Sequence, residues 1–166
     1  MSRFSMSLAA IASAAMILSN CTTAPAEAPE ATRAAGDFSA KDVACLSEAM
    51  YFEAAAFSVK GQQAVGEVIV NRKNDPRFPN TICGVISEGV GSGRGCQFSY
   101  KCDGNPEHYR YKKVKAQTDQ TAKAVLSGKT SELAPGALFF HSARIAPGWF
   151  ASRPRIGTFG GNIFYK

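Results

Sequence analysis

Two helical patterns follow each other between Ser39 and Asn74, and they limit what this chain can fold into more than any other stretch. Val43, Leu46, Ala49, Met50 and Glu53 recur at the spacing of one helix face, behind Ser39 as N-cap with Asp42 three residues on. A helix over roughly 40–54 is predicted. Ser58 is the next cap, and Ala64, Val65, Val68, Ile69 and Arg72 make a second buried stripe up to the turn Asn74-Asp75-Pro76. Gly66 within it has no Cβ and permits close approach of a neighbouring helix.

Glu53 ends the first stripe. Its helical neighbours at minus three and minus four are Met50 and Ala49, and a carboxyl in apolar surroundings keeps its proton above its solution pKa. That property makes a general acid. Position alone favours a solvated residue or a cap by a wide margin, and only the resemblance given below sets that reading aside. On the second helix Gln63, Glu67 and Asn71 fall four apart and form a polar line, read for Gln63 as a solvated face. Glu67 is a possible second acid at the cleft and receives no catalytic role. Arg72, at the helix end, is read first as a structural clamp on carbonyls or carboxylates.

The N-terminus belongs to another regime. Arg3 precedes an apolar run from Met6 to Leu18, too short and too rich in Ala and Ser for a membrane span, which reads as an export signal over residues 1–21. Leu18-Ser19-Asn20-Cys21 resembles a lipobox, with Cys21 as the lipidated first residue of the mature chain. The alternative is cleavage after the small residues Ala24 and Ala26, which releases a soluble product. Residues 22–38 are rich in Ala, Pro, Glu and Thr and bury too little to offset the entropy of ordering, so a tether is expected there, with one domain over 39–166. Loss of Arg3 with the leader lowers the net charge from +6 to +5. That charge suits an anionic polymer or a membrane surface, while export argues against nucleic acid.

Excluding Cys21, four cysteines remain. In an exported chain Cys45, Cys83, Cys96 and Cys102 suggest disulfides, for which three pairings exist. The expected pairing is Cys96 with Cys102 across a tight loop, and Cys45 with Cys83 between the first helix and the segment after the second. Zinc is disfavoured because no C-x-x-C occurs and the two histidines, His108 and His141, lie far apart in sequence. No metal or cofactor is expected.

Beyond the helices, Thr81 caps a short helix after Phe78-Pro79, glycines 89, 91, 93 and 95 space out a loop, and Asp103 forms a turn before Gly104. A further helix spans Tyr111 to Leu126, with Val114, Ala116 or Gln117, Thr121, Ala124 and Val125 inward and Gly128 closing it. The segments 137–143 and 156–165 alternate like short strands.

Tyr51, Glu53, Ala54, Gly61, Gln62, Ala64, Val65, Val68, Asn71 and Arg72 together resemble the core motif of the SleB/CwlJ family of bacterial cell-wall hydrolases. Phe78-Pro79 with Thr81 and Val85, the run Cys96-Gln97-Phe98-Ser99 to Cys102-Asp103-Gly104, and His141 after Phe140 are similar to further motifs of that family in the same order. Two departures stand out. Ala55, Ala56 and Phe57 replace the family's Arg, Gly and Glu, and Asn162 replaces its second His, where it can hydrogen-bond but not carry a proton.

The resemblance implies an α+β, mainly α, lysozyme-like domain with a small β element, acting on peptidoglycan. The implied reaction is cleavage of the β-1,4 bond between N-acetylmuramic acid and N-acetylglucosamine, with Glu53 as acid. Phe98 and Tyr100 are expected to stack on sugar, with Gln97 and Ser99 bonding hydroxyl and N-acetyl groups and His141 orienting substrate or acid. Glu67, Asn71, Arg72 and Asn162 are supporting residues. No second acid is evident in the motifs, which favours a lytic transglycosylase. The alternatives are a hydrolase in which Glu67 or Asp103 places water, and a non-catalytic peptidoglycan-binding lipoprotein.

Overall fold

The computed structural model describes residues 38–54, 56, 58–145 and 147–166. The leader, Cys21 and residues 22–37 of the expected tether lie outside them, as do Ala55 and Phe57. Four helices and three strands follow: α1 (Ala40–Ala54), α2 (Val59–Asn74), α3 (Ile82–Ile86), α4 (Lys112–Leu126), β1 (Phe139–Ser142), β2 (Arg155–Phe159) and β3 (Asn162–Tyr165). The fold is mainly helical with a small β element.

The caps act where the sequence places them. Ser39 and Asp42 form a reciprocal box: the Asp42 N–H donates to Ser39 Oγ at 3.1 Å and the Ser39 N–H to Asp42 Oδ2 at 3.0 Å. Thr81 Oγ1 accepts from the Gly84 N–H at 3.0 Å and starts α3. Phe38, the last residue of the expected tether, is half-buried against the core under Lys73.

Helix α2 is the axis of the domain, packed against α1, α3, α4 and β2. Close packing with α1 uses Gly66, against which Met50 Sδ and Leu46 Cδ1 lie 3.6 and 3.8 Å from where a Cβ would stand. The solvated face expected at Gln63 is absent. Gln63 is buried and donates to Ser131 O and to Glu67 Oε1, each at 2.7 Å. The segment 131–138 crosses this side of α2, and helical periodicity carries no information about such a cover. On α4 the inward residues are Thr118, Thr121, Ala122, Val125 and Leu126, a face rotated from the expected one. A hydroxyl contact at 2.9 Å between Ser47 and Thr118 joins α1 to α4, which explains the polar residue in that face.

The strands form an antiparallel sheet in the order β1-β3-β2, with Phe164 of β3 in the core. Gly160 and Gly161, with φ of +58° and +85°, make the β2–β3 turn. Two disulfides join Cys45 to Cys83 and Cys96 to Cys102, with Cα separations of 5.4 and 6.0 Å. The first fastens α1 to α3; the second closes the loop around the short 3-10 turn Ser99–Lys101.

Candidate active site

Glu53 lies one residue from the end of α1, and that end is held from two sides. Gln62 Nε2 donates to Ala54 O at 3.5 Å, while Gln62 Oε1 accepts from Gln117 Nε2 of α4 at 2.9 Å. Tyr51 OH accepts the Tyr111 N–H at 3.0 Å. An aromatic group follows: Phe52 stacks on Tyr100 at 4.6 Å, and Tyr109 meets the Tyr51 ring edge-on at 5.2 Å. Glu48 anchors it, pairing with Lys101 and accepting from Tyr100 OH at 3.3 Å and Tyr109 OH at 3.2 Å.

The Glu53 carboxyl is half-buried and makes no side-chain hydrogen bond among the described residues. Burial raises its pKa above the usual carboxylate value, and the nearby Arg72 guanidinium offsets this in part. Arg72 is 3% exposed. Its Nε donates to Leu138 O at 2.8 Å, and its guanidinium lies 5.3 Å from the Phe78 ring centre and 5.9 Å from that of Phe98. Burial lowers its pKa to about 10 against the opposing pull of Glu88 and Glu53, so it stays charged at neutral pH. Beside Glu88 a cleft of about 360 Å³ opens, lined by Glu88, Gly89, Ser92, Arg94, Gly95 and Gln97.

The expected sugar contacts divide by alternation along the bridged loop. Gln97 and Ser99 are exposed, Gln97 on the cleft. Phe98 and Tyr100 point the other way: Phe98 is 1% exposed in the core and Tyr100 9% exposed under Phe52. Neither ring offers a free face: Phe98, the extended residue before the 3-10 turn, enters the core, and Tyr100 within the turn packs under Phe52. The partly exposed rings of the aromatic group are Phe52 and Tyr109, and for Tyr109 the motifs gave no signal.

His141 is half-buried between Phe150 and Tyr165. Its Nδ1 lies 2.8 Å from Ser142 O, which only accepts, so Nδ1 carries the proton and Nε2 accepts from Tyr165 OH at 3.0 Å. Both ring nitrogens are thereby engaged away from Glu53. Asn162 is buried in β3 opposite Ser142. Asn71 donates to Ala134 O at 3.2 Å and Ala137 O at 3.1 Å, so with Arg72 it clamps the 134–138 segment.

Glu67 is fully buried. Its Oε2 accepts the N–H groups of Leu133 at 2.9 Å and Ala134 at 2.7 Å. This carboxylate clamps the backbone at Leu133 and Ala134. Asp103 Oδ1 accepts the Asn105 N–H at 2.8 Å, the turn expected of it. No group of three or more His, Cys, Asp or Glu that could hold a metal occurs among the described residues.

The family profile described as Cell Wall Hydrolase matches residues 56–165. The spore cortex-lytic enzyme of Bacillus subtilis (strain 168) is 32% identical over 150 residues, which are 87% of this chain and 45% of that protein. That of Halalkalibacterium halodurans is 32% identical over 138 residues, 81% of this chain and 38% of that one. The chain thus spans less than half the length of these curated relatives. Among solved structures, the catalytic domain of the germination-specific lytic transglycosylase SleB from Bacillus anthracis aligns with a TM-score of 0.62 at 26% identity, covering 79% of this chain and 98% of that one. The catalytic domain of the Bacillus cereus SleB protein aligns with a TM-score of 0.62 at 27% identity, over 78% and 92% of the two chains. On its profile, its relatives and its fold, this chain belongs to the cell wall hydrolase family.

Proposed function

We propose that the domain cuts peptidoglycan glycan strands at the β-1,4 bond between N-acetylmuramic acid and N-acetylglucosamine, as a lytic transglycosylase with Glu53 as its acid and base. The observation that carries this reading is the Glu53 carboxyl: half-buried, raised in pKa, without a hydrogen bond among the described residues and placed at a helix end. The lytic transglycosylase named in the solved Bacillus anthracis structure supports it.

Protonated Glu53 donates to the glycosidic oxygen as the C1–O bond breaks, and the muramic ring passes through an oxocarbenium-like state. The resulting carboxylate takes the proton of the sugar's own 6-hydroxyl while that oxygen bonds to C1. An anhydro ring closes and Glu53 is protonated again, with no water consumed. A hydrolase of the usual classes needs a second carboxylate about 5 to 9.5 Å away; Glu67 is committed to backbone N–H groups and Asp103 to a turn. In this reading Gln97 and Ser99 bond the substrate, Tyr109 supplies the aromatic contact first expected of Phe98 and Tyr100, and His141 and Asn162 support the sheet.

The protein is proposed to be exported and held at a membrane by acylated Cys21; mass spectrometry of the mature N-terminus reads the modification directly, and a start at Glu27 refutes it. Digestion of purified sacculi tests the chemistry. Anhydro-muramic ends are expected, and reducing muramic ends reassign the enzyme as a hydrolase. Glu53→Gln keeps size and hydrogen bonding but has no acidic proton, so activity falls by roughly 100-fold to 10,000-fold. A loss under about tenfold removes Glu53 from the role, and sacculi bound but uncut make the domain a binding module.

A further inference from the structure

The cleft beyond α3 carries opposite charges that the fold leaves unpaired. It holds about 360 Å³, within the roughly 300 to 1,000 Å³ of small-ligand sites, and Glu88, Ser92, Arg94 and Gln97 are its polar lining. Backbone contacts fix its walls. The Gln97 N–H donates to Glu88 O at 3.0 Å and the Ser92 N–H to Gly89 O at 3.1 Å. The Ser92 hydroxyl donates to Gly89 O at 2.7 Å and accepts the Arg94 N–H at 3.2 Å. Gly89, at φ +88°, lets the two sides of the loop touch, since a Cβ there would strike Gly95 O. The cleft is thus a closed turn, joined to α3 at one end and to the bridged loop at the other.

Among the described residues neither Arg94 nor Glu88 enters an ion pair, and the Arg94 side chain makes no hydrogen bond. Glu88 Oε2 is covered without a hydrogen-bond partner, a costly state that rotation of the carboxylate toward a donor in the cleft relieves. A guanidinium and a carboxylate held in one cleft and left apart suit a ligand that carries both an anionic group and N–H donors.

Of the two chemistries in a peptidoglycan strand, the peptide fits this pair. The glycan offers hydroxyl and N-acetyl groups, which neutral donors and acceptors satisfy. Its lactyl carboxyls are consumed in amide bonds to the stem peptides, so a peptide-bearing strand carries its charges on the peptides. The reach also agrees. Gln97 and Tyr100 are three residues apart, at most about 11 Å, and the Tyr100 ring stacks at 4.6 Å on Phe52, the residue before Glu53. The stem leaves from the muramic ring whose C1–O bond is cut, and three extended peptide residues span about 10 Å. We propose that this cleft is a stem-peptide subsite, in which Arg94 binds a peptide carboxylate, Glu88 accepts from a peptide N–H or ammonium group, and the Gln97 side chain bonds a peptide amide.

The identity of the ligand rests on the reading of the domain as a peptidoglycan-cutting enzyme, but the binding measurement does not need the chain to cut. The full chain is titrated with a soluble N-acetylmuramoyl tripeptide ending in a diamino acid and followed by nitrogen-15 NMR. The amide signals of Gly89, Gly95 and Gln97 are expected to move. Converting the free carboxyls of the probe to amides weakens binding by about tenfold or more, the worth of one charge-assisted hydrogen bond. Arg94 is exposed, so Arg94→Ala keeps the fold; it weakens the free-acid probe by a similar factor and leaves amidation of the probe without further effect. Glu88→Gln weakens the probe with a free amine more than its N-acetylated form. Signals that do not move at the cleft, equal binding of the free acid and the amide, or an amidation effect that persists in Arg94→Ala each overturn the proposal. On glycan strands, the ratio of kcat/KM for peptide-bearing over amidase-stripped substrate falls toward one in Arg94→Ala, and an unchanged ratio also counts against it. If the chain cuts neither substrate, the functional reading fails while the titration still decides this one.

Discussion

Glu67→Gln removes a charge without removing volume, and the surroundings of Glu67 leave the new amide no satisfactory orientation. Oε2 accepts two backbone N–H groups, from Leu133 and Ala134, while Oε1 accepts Gln63 Nε2 at 2.7 Å. An amide has one accepting end. If its oxygen keeps the backbone pair, its NH2 meets the NH2 of Gln63; if it faces Gln63, two buried N–H groups meet a donor. Turning Gln63 over moves the conflict to Ser131 O, its other partner at 2.7 Å. One charge-assisted bond is lost, about 1.5 to 3 kcal/mol, and at least one buried donor goes unmet, about 1 to 3 kcal/mol. Relaxation of the 131–134 segment recovers part, so a net loss of about 2 to 4 kcal/mol is expected. For a domain of roughly 130 residues this lowers Tm by about 8 to 15 °C. Thermal unfolding followed by circular dichroism measures it, with activity at a temperature where both proteins are folded as the second reading. A Tm within about 2 °C of wild type refutes the clamp. Activity reduced by more than about tenfold in the folded variant returns Glu67 to the list of catalytic groups.

Glu53→Gln is expected to be more stable than the parent at neutral pH, because the folded state holds the Glu53 proton more tightly than the unfolded chain does. The penalty is absent below the ordinary value of 4.5 and grows as pH rises through the raised folded value, so the Tm difference vanishes in acid; a constant difference refutes it. Replacing Cys45 and Cys83 together by Ser opens a loop of sequence separation 38 and costs about 4 kcal/mol, against about 2 kcal/mol for Cys96 and Cys102 at separation 6, in denaturant titration. The reverse order of the two losses contradicts the loop-closure account.

Local chemistry was legible where it is local. Helix α1 has its expected bounds because Ser39 and Asp42 cap each other and the stripe from Val43 to Glu53 meets a matching stripe on α2. In the structure Cys45 is joined to Cys83 and Cys96 to Cys102, one of the three pairings that four cysteines allow. The misreadings share one cause. Gln63 looked solvated because a helix pattern reveals one buried face, while α2 is covered on a second side by chain more than sixty residues away. Phe98 and Tyr100 looked like a sugar platform because an aromatic loop residue reads the same whether it faces a ligand or the core.

The double role of Gln62 makes α4 part of what holds the end of α1 beside Glu53. One amide ties the last carbonyl of α1 to a side chain of α4, so three helices meet at a joint one residue from the acid. Gln117 touches no substrate in the proposed reaction and is only half-buried. Cutting its end of the joint leaves the Gln62 oxygen unmatched and frees the amide to turn, and the final turn of α1 loses its lateral brace. Position 117 on α4 thereby becomes a place from which the setting of Glu53 can be altered without touching α1 itself.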